Sequence, residues 1–442
     1  MSMDSVMKDL KAVNAKYRMF RTVSDDTDAG GAGFLFSAKD NLTSKDMETC
    51  AGSRILEGYR PVFDATCISR LRDAGGKLIG KTNMDEFGFG TFSTNSGFEV
   101  PRNPYDLNRA CGGSSGGSAC AASVIEDHIS LGVSTGGSIC CPASFCGVYG
   151  IAPTYGRVSR YGLIDYGNSL DKIGVISQRA ADLKRYMAMI AGKDGRDPTS
   201  MAQPELRTAY RKMGSVAIPK EGVEGLSKEV EAVFRDAVEQ LKSMGIDVDY
   251  VDMPSLRYAM PAYYVLATSE ASTNLARYVG MRYGHQEGDH SLKFDDYFTE
   301  VRTKYFGDEA KRRILLGTYA RMAGFGGRHY AKAREVRQVV INDYKRVLGT
   351  HDAVLAPTMP FTAPRFEDIS KMSALESYKA DFLTVPANIA GTPHLSVPCG
   401  YDSDGMPVGM QFVADHWNEE VLFSVAEDWE KQFDLKRPEV SV

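Results

Sequence analysis

The sequence has little of what several classes of protein depend on. Among its 442 residues are only seven histidines, and its eight cysteines are scattered, with no pair at C-x-x-C spacing. This pattern indicates neither a zinc ribbon nor a thiol redox motif, and we expect buried, reduced thiols in a cytoplasmic protein. No apolar run approaches the ~20 residues of a membrane span, and we expect no signal peptide.

The chain also lacks an excess of positive charge. Lysine and arginine total 52 residues against 57 for aspartate and glutamate, and the net charge is −5. A protein that binds nucleic acid unaided usually carries a basic surplus, so we do not expect such binding here. The hydrophobic share of 43% is that of a globular protein.

What the sequence does have is glycine, in 43 positions, and two glycine-rich serine loops. The first is G-G-S-S-G-G-S at residues 112–118, and the second is S-T-G-G-S at residues 134–138. A lone loop of this kind is typical of a turn. Glycine lets a ligand or another backbone approach closely, and two such loops so near each other indicate that their hydroxyls meet at one point.

Regular elements are predicted around the loops. Residues 34–38 are apolar and are followed by Lys39, which predicts a buried strand with a lysine at its end. A helix over 64–74 and a strand over 77–80 continue a βαβ rhythm, which favours an α/β fold with largely parallel pairing. Residues 116–125 predict a helix whose N-terminus, with its partial positive charge, points at the first loop.

The C-terminal half reads mainly as helices. Residues 260–278 predict one helix, and residues 312–348 predict a basic helical region that is broken near residues 324–327. Residues 285–298 are polar and predict a surface loop, whereas residues 386–397 predict a turn followed by a strand.

Other serine and phosphate sites need partners that the two loops lack. Gly112 and Gly117 have the spacing of a phosphate-binding P-loop, but Ser118 stands where that motif needs lysine. A serine–histidine site needs a histidine partner, and none of the seven lies in a glycine-bounded loop beside a carboxylate. Serine activated by lysine remains, together with a non-catalytic alternative in which the loops form N–H nests for an anion.

A lysine acts as a base only when it is neutral. Its ordinary pKa of ~10.4 must fall to about 7–8, and burial lowers it. Lys39, at the end of a buried strand, meets that need. Ser114 would then relay a proton between Lys39 and Ser138. The backbone N–H groups expected at an oxyanion are those of Thr135, Gly136 and Gly137.

Residues 31–180 resemble the amidase signature family. The G-G-S-S-G-G loop, the T-G-G-S-I run followed by a proline, and the K-D-N sequence that begins at Lys39 match its pattern. The resemblance implies an α/β fold, a mixed, twisted β-sheet covered by α-helices on both faces, in a single domain over residues 1–442. It also implies a triad in which Ser138 is the nucleophile, Ser114 is a serine in a cis peptide bond and Lys39 is the base.

The sequence departs from this family at two positions. The family has an aspartate before T-G-G-S and an arginine two residues after the nucleophile, where this chain has Ser134 and Cys140. Both charges are missing together, as if a salt bridge had been lost as a unit, so neither charge is left buried without its partner. We expect the change to affect local rigidity rather than the triad.

Within the family, four further segments resemble the glutaminase subunits of tRNA-dependent amidotransferases. They are residues 80–87, 269–275, 311–318 and 386–393, and residues 255–400 would set the substrate specificity. The resemblance implies glutamine hydrolysis through a glutamyl-enzyme, with release of ammonia and with no cofactor or metal in this chain. It also implies a cytoplasmic heterotrimer with two other subunits. One of these would use ATP and Mg²⁺ to amidate Asp-tRNA(Asn), Glu-tRNA(Gln) or both, and tRNA would be contacted mainly through the partner.

The same resemblance implies which residues hold the amino-acid end of glutamine. Arg313 would bind the α-carboxylate, with Arg312 as the alternative, and Asp381 would bind the α-ammonium group. One of the adjacent tyrosines, Tyr263 or Tyr264, would contact the substrate. From the residue types alone, a solvated helix face also explains the charged side chains, and core packing also explains the tyrosines.

Two hypotheses compete with the glutaminase subunit. One is a free-standing amidase that acts on another small amide, and the other is the anion-binding module. Lys39 together with Ser114 and Ser138 argues against the module, because a nest of N–H groups needs no base. The segments that contain Arg313 and Asp381 favour glutamine over a simple amide.

Overall fold

A computed structural model gives the fold over most of the chain. It describes residues 3–25, 33–200, 203–286, 289, 291–322, 324 and 327–440. Within these residues eleven strands form one sheet. The strands are β1 (Phe20–Val23), β2 (Phe34–Lys39), β3 (Gly76–Thr82), β4 (His128–Ser134), β5 (Tyr149–Ala152), β6 (Lys172–Ser177), β7 (Ser215–Pro219), β8 (Asp247–Val251), β9 (Ala353–Pro357), β10 (His394–Tyr401) and β11 (Pro407–Val413). Their order across the sheet is β1-β3-β2-β4-β6-β5-β10-β11-β9-β7-β8.

The sheet is mixed, as the family resemblance implied. Parallel pairing joins β2 to β3 and β4, and β7 to β8 and β9. The neighbours from β4 through β6, β5, β10 and β11 to β9 pair antiparallel, as do β1 and β3. The largely parallel pairing that we predicted from the βαβ rhythm is therefore wrong for the middle of the sheet. Short connections such as the one between β10 and β11 permit only antiparallel pairs.

Helices cover both faces of the sheet, which confirms the predicted fold class. Within the described part of the chain, the helices are α1 (Met3–Tyr17), α2 (Thr66–Asp73), α3 (Gly116–Val124), α4 (Cys140–Phe145), α5 (Ala180–Ile190), α6 (Lys228–Ser243), α7 (Leu256–Asn274), α8 (Phe294–Tyr305), α9 (Asp308–Ala320), α10 (Arg328–Leu348), α11 (Phe366–Ile369), α12 (Ala374–Lys379), α13 (Val385–Ala390) and α14 (Glu419–Glu430).

The alternation of side chains along the strands divides the apolar core between the two faces. In β2, Phe34 and Phe36 belong to a buried cluster that includes apolar residues of α2, α5, α6 and α14, whereas Leu35 belongs to another that includes residues of α1, α3 and α4. Successive side chains of a strand point to opposite faces, which explains this division. Helices α7, α9, α10 and α13 bury a further cluster against the other end of the sheet. Helices therefore cover the faces of the sheet, and a functional site is expected in the loops beyond the ends of its strands.

Two predicted segments differ from the structure. The surface loop predicted over residues 285–298 is wrong for its last five residues, because α8 begins at Phe294. Asp295 and Asp296 lie in the first turn of this helix, where acidic groups are stabilising. Residues 287, 288 and 290 of that segment lie outside the described residues. The turn predicted from residue 386 is the short helix α13, in which Pro386 occupies the first turn and Gly391, at φ 80°, ends the helix.

The remaining helix predictions for the C-terminal half are confirmed. The helix predicted over residues 260–278 is α7, and the basic region over residues 312–348 divides into α9 and α10. The predicted break lies between these two helices, although its residues 325 and 326 lie outside the described part. All eight cysteines are buried and unpaired. No helix within the described residues is long and apolar enough to cross a membrane.

Parallel neighbours bring the predicted catalytic residues to one edge of the sheet. Strand β2 ends at Lys39, and its parallel neighbour β4 ends at Ser134. Because parallel neighbours end on the same edge, the lysine lies beside the loop that follows β4. Ser114 lies two residues before the start of α3, and Ser138 lies between β4 and α4.

Candidate active site

Lys39 and Ser114 form a buried, hydrogen-bonded pair. The Nζ of Lys39 donates to Oγ of Ser114 at 2.7 Å and to the carbonyl oxygen of Val133 at 3.0 Å. Each of the two side chains belongs to a residue that is 1% exposed. The peptide bond between Gly113 and Ser114 is cis, as the family resemblance implied. The first contact of the predicted proton relay is therefore present.

The environment of Lys39 favours its neutral form. Burial lowers the pKa of Lys39 to about 7, against the opposing effect of negative charge on Asp85 and Asp171. A lysine with this pKa accepts a proton readily near neutral pH. Asp85 is itself held by the backbone N–H groups of Ser93 and Asn95, each at 2.9 Å.

Ser138 lies in a buried loop with unpaired donors. Its residue is 7% exposed, and its hydroxyl makes no hydrogen bond to any residue that the structure describes, Ser114 included. Apo structures often hold such catalytic contacts apart. The backbone N–H groups of Thr135, Gly136, Gly137 and Ser138 likewise donate to nothing within the described residues. Buried N–H groups are almost always paired, so this cluster beside a free hydroxyl suits a developing oxyanion.

Arg313 lies in the interior, on α9, inside a cage of aromatic rings. Its Nε donates to Glu309 at 2.8 Å and its Nη1 donates to the hydroxyl of Tyr166 at 2.6 Å. Its Nη2 makes no hydrogen bond to the described residues. The guanidinium carbon lies 5.2, 5.6, 5.4 and 5.3 Å from the ring centroids of Phe89, Tyr166, Tyr264 and Tyr378. A fixed cation with one free edge suits a carboxylate ligand.

The structure separates Arg313 from the alternative, Arg312. The side chain of Arg313 is 4% exposed, whereas that of Arg312 is 47% exposed. Both pair with Glu309, but through different oxygens of its carboxylate. Arg313 is therefore the buried arginine of the two, whereas Arg312 lies at the exposed side of the same carboxylate.

Asp381 lies between α12 and α13, against the second serine loop. Thr91 donates its hydroxyl to one carboxylate oxygen of Asp381 at 2.8 Å, while the other oxygen is buried with no partner among the described residues. Burial raises the pKa of Asp381 to about 7, against the opposing effects of this hydrogen bond and of Arg313. A Cβ on Gly137 would lie 2.2 Å from the Thr384 hydroxyl and 3.2 Å from Asp381. Only glycine therefore lets the loop pack this closely against Thr384, in the segment that carries Asp381.

The two tyrosines occupy different parts of the site. A Cβ built on Gly136 would lie 3.1 Å from the hydroxyl oxygen of Tyr263, so that side chain contacts the second loop. Tyr264 instead stacks on Tyr378, with ring centroids 4.4 Å apart, beside Arg313. Both tyrosines therefore border the site, one at the expected oxyanion loop and the other at the guanidinium group.

A cavity of about 360 Å³ opens beside Arg313. Its wall includes Thr91, the donor to Asp381, and parts of α9 and α12. Ser138 does not line it. The cavity thus reaches the part of the site expected to hold the amino-acid end of the substrate. The polar side chains on its wall include those of Thr91, Asn95, Glu309 and Tyr378 and of both arginines, Arg312 and Arg313.

Uncharged contacts occupy the two positions where the family's charged pair is missing. The hydroxyl of Ser134 donates to the carbonyl of Gly136 at 2.9 Å. The thiol of Cys140 faces the carbonyl of Gly150 at 3.6 Å, and burial raises its pKa to about 12. Ser134 therefore ties the loop to itself, and Cys140 remains protonated.

Three polar residues of the site were missed by the sequence analysis. Asp171 accepts the hydroxyl of Thr135 at 2.6 Å, and Asn388 donates to the carbonyl of the same threonine. Glu309 orients Arg313 from one helical turn away, and this i, i+4 spacing of opposite charges is a signal that the sequence does contain. Asn388 lies in the segment 386–393 that resembles the family, but neither it nor Asp171 has a spacing that predicts contact with the second loop, because only the fold brings them there.

Comparison with known proteins finds relatives along most of the chain. The A subunit of the glutamyl-tRNA(Gln) amidotransferase of Archaeoglobus fulgidus is 46% identical over 401 residues, covering 89% of this chain and 84% of that protein. Its counterpart in Microcystis aeruginosa is 42% identical over 416 residues, covering 93% and 86%. The crystal structure of the glutamyl-tRNA(Gln) amidotransferase A subunit from Thermotoga maritima superimposes with a TM-score of 0.84 at 34% identity, covering 100% of this chain and 94% of that one. Since the amidase family model also matches residues 13–423, this chain belongs to the amidase family.

Proposed function

We propose that this chain is the glutaminase subunit of a tRNA-dependent amidotransferase. The observation that carries the proposal is the pairing of two chemistries in one site. A buried lysine–serine contact of 2.7 Å adjoins the loop of Ser138, and that loop touches the buried Asp381 near Arg313. Glutamine combines the matching groups, an amide at one end and a carboxylate and an ammonium group at the other. The relatives named as glutamyl-tRNA(Gln) amidotransferase subunits support the same assignment.

The first half of the reaction forms an ester on Ser138. Neutral Lys39 takes the hydroxyl proton through Ser114 while the serine oxygen bonds to the side-chain amide carbon of glutamine. The carbonyl oxygen becomes an oxyanion beside the N–H groups of residues 135–138, where each donor is typically worth 10²–10³ in turnover. The amide nitrogen then takes the proton back from Lys39, the C–N bond breaks, and ammonia leaves.

The second half of the reaction releases glutamate. Lys39, neutral again, takes a proton from water through Ser114 while the water oxygen bonds to the ester carbon. The bond from that carbon to Ser138 breaks, and the serine oxygen regains a proton from Lys39. The free hydroxyl and the neutral lysine are both restored, so the cycle needs no resident cofactor or metal in this chain.

The amino-acid end of glutamine would lie between Arg313 and Asp381. The unbonded Nη2 of Arg313 is available to the α-carboxylate, and the unpartnered oxygen of Asp381 is available to the α-ammonium group. Although burial raises the pKa of Asp381 to about 7, a bound cation favours its charged form. Tyr263 lies against the same loop and would bound the substrate on a third side.

The proposal extends to the assembly in which this chain works. Two other subunits would complete a cytoplasmic heterotrimer, and one of them would use ATP and Mg²⁺ to activate the misacylated tRNA and amidate it with ammonia. The net charge of −5 is in keeping with tRNA contact made mainly through the partner. Asp-tRNA(Asn), Glu-tRNA(Gln) or both would be the acceptor.

A free-standing amidase for another small amide is the second candidate. It is favoured by one observation, that two of the three guanidinium nitrogens of Arg313 already donate to Glu309 and Tyr166. An arginine bonded in this way serves equally well to brace the site. Such an enzyme would hydrolyse a simple amide as efficiently as glutamine.

Glutamine hydrolysis by the purified chain tests the proposal. The assay measures glutamate release by the chain alone, and then with its partner subunits, ATP and misacylated tRNA, with propionamide as the comparison substrate. We expect glutamine to be hydrolysed with the higher kcat/KM, and its hydrolysis to increase in the assembly. Hydrolysis of propionamide with no hydrolysis of glutamine in any of these mixtures would establish the second candidate instead.

A further inference from the structure

Asp171 accepts hydrogen bonds from two separate parts of the site. It is 1% exposed and immediately precedes β6. One carboxylate oxygen accepts the hydroxyl of Thr135 at 2.6 Å, and the other accepts the backbone N–H groups of Tyr166 at 2.9 Å and Gly167 at 3.1 Å. A buried carboxylate that ties two loops together fixes their relative position.

The first branch from Asp171 leads to the N–H groups beside Ser138. Thr135 is held twice, because its hydroxyl donates to Asp171 and its carbonyl accepts from Asn388. In a planar trans peptide the carbonyl and the following N–H point in opposite directions. Holding the carbonyl of Thr135 therefore sets the direction of the Gly136 N–H, which makes no hydrogen bond within the described residues.

The second branch leads to the buried guanidinium group. The backbone N–H of Tyr166 donates to Asp171, and the hydroxyl of the same tyrosine accepts from Nη1 of Arg313 at 2.6 Å. The ring of Tyr166 also lies 5.6 Å from the guanidinium carbon. Through this residue, one carboxylate holds both the loop of the nucleophile and the arginine.

We propose that Asp171 is a positioning residue that orients the oxyanion loop through Thr135 and orients Arg313 through Tyr166. It contacts neither the substrate nor a reacting atom, and it acts through these two neighbours. The substrate in this inference rests on the proposed glutaminase function, whereas the effect on the loop does not. We expect loss of the contact through Thr135 to lower kcat, because the loop serves the chemical step. We expect loss of the contact through Tyr166 to raise KM, because the arginine serves substrate binding.

Three variants separate the branches in glutamine kinetics. Thr135→Val removes one hydroxyl at nearly constant volume, and we expect kcat to fall at least ~10-fold with KM almost unchanged, as for a lost transition-state contact. Thr135→Ser restores the hydroxyl and should rescue most of that loss. Tyr166→Phe should instead raise the KM for glutamine several-fold and leave propionamide hydrolysis little changed.

Asp171→Ala should show both effects together. Because Asp171 and Thr135 share one contact, adding Thr135→Val to Asp171→Ala should lower kcat by far less than the ~10-fold expected of Thr135→Val alone. Independent, multiplying losses in the double variant would contradict the proposal. If Asp171→Ala does not fold, the comparison of Thr135→Val with Thr135→Ser still decides the first branch.

A fluorophosphonate provides a readout that does not depend on glutamine. In its reaction, Oγ of Ser138 bonds to phosphorus as fluoride leaves, and the hydroxyl proton passes through Ser114 to Lys39. The phosphoryl oxygen needs the same N–H groups, so Thr135→Val should slow labelling at least ~10-fold, whereas Tyr166→Phe should not. Labelling of Thr135→Val at the wild-type rate would overturn the proposal.

A matched control uses another buried aspartate. Asp194 accepts the hydroxyl of Thr66 at 2.5 Å and the backbone N–H of Arg196 at 3.0 Å, away from the residues of the site. Asp194→Asn should alter thermal stability but not labelling or turnover, and an equal loss in this variant would contradict a specific role for Asp171. A wild-type chain that is labelled but hydrolyses no glutamine would contradict the proposed substrate, while the labelling rates would still test Asp171.

Discussion

The pKa of Lys39 sets the pH range in which this site can work. Burial lowers that pKa to about 7, and the base must be neutral to accept a proton. The rate of glutamine hydrolysis should therefore rise as the pH increases through about 7 and level off above it. Lys39→Ala should lower kcat by at least ~10²-fold, the lower end for a general base. A pH–rate profile of the wild type and a single kcat for the variant check both expectations.

Lys81 offers a control for the removal of a buried lysine. It is 0% exposed, its pKa is lowered by burial to about 8, and it donates to the Thr49 hydroxyl rather than to a serine of the loops. Lys81→Met should reduce stability without moving the pH–rate profile of the folded protein. A wild-type rate that falls as the pH rises through 7 would contradict Lys39 as the base.

The two adjacent arginines of α9 allow a comparison between a buried and an exposed cation. Arg313→Ala should raise the KM for glutamine at least ~10-fold, because a charge-assisted contact is worth about 1.5–3 kcal/mol. Arg312→Ala, at a side chain that is 47% exposed, should change it little. Steady-state kinetics with glutamine and with propionamide check this, and equal losses on the two substrates would make Arg313 a structural residue.

At the scale of helices, the packing of α7 on α9 aligns the tyrosines with the arginine. A Cβ on Gly317 of α9 would lie 1.8 Å from the carbonyl oxygen of Thr268 in α7, so the two helices touch through this glycine. Gly317→Ala should force them apart, lower stability by about 1–3 kcal/mol and raise the KM for glutamine. Thermal unfolding and kinetics measure the two effects.

Gly195 is the matched position for that substitution. A Cβ there would have no heavy atom within 4 Å, so Gly195→Ala should leave both stability and KM nearly unchanged. If Gly317→Ala were as stable as Gly195→Ala, the close approach of α7 and α9 would not be a constraint on the site.

Sequence patterns predicted the strands and helices best where one run of similar side chains spans the whole element. The apolar run before Lys39 predicted β2, and the small residues after Ser115 predicted α3. Both predictions are confirmed, and every residue of these two elements is buried. The helices at Phe294 and Val385 were missed because polar residues and Pro386 resemble loop signals, and neighbouring elements stabilise these helices instead. The family resemblance predicted the mixed sheet, whereas the βαβ rhythm did not. That rhythm indicates how strands consecutive in the sequence pair, and it does not indicate how distant strands pair.

The site was predictable to the extent that its residues share short motifs. The two serine loops and the lysine belong to such motifs, and the structure brings Lys39 to Ser114. The choice between Arg312 and Arg313 was open because the direction of a helix face depends on tertiary packing. Asp171 escaped notice because its partners at residues 135 and 166 meet it only in the folded chain.

Across the whole molecule, strands from both halves of the chain share one sheet. Strand β10 pairs with β5 of the family core, and β11 continues the sheet to β9. Arg313 and Asp381, which we propose to bind the amino-acid end of glutamine, therefore belong to the same continuous sheet-and-helix framework as the serine loops. This continuity supports the proposal that residues 1–442 act as one catalytic domain.

The assembled complex should separate ammonia production from ammonia use. Ser138→Ala removes the expected nucleophile, so glutamine-dependent amidation of tRNA should be lost while amidation with added ammonium salt continues. Both reactions are measured with the same partner subunits, ATP and misacylated tRNA. Retained glutamine hydrolysis by pure Ser138→Ala protein would show that another group is the nucleophile.

The carbonyl of Val133 has a consequence for how Lys39 changes its charge. As a cation, the lysine donates to Val133 and to Ser114; as a neutral amine, it has a lone pair that must accept from one neighbour. A carbonyl cannot donate, so the direction of only the Ser114 bond can reverse. Val133 would thus hold the lysine nitrogen in place through the proposed cycle, so that a change of charge alters only the direction of the bond to Ser114.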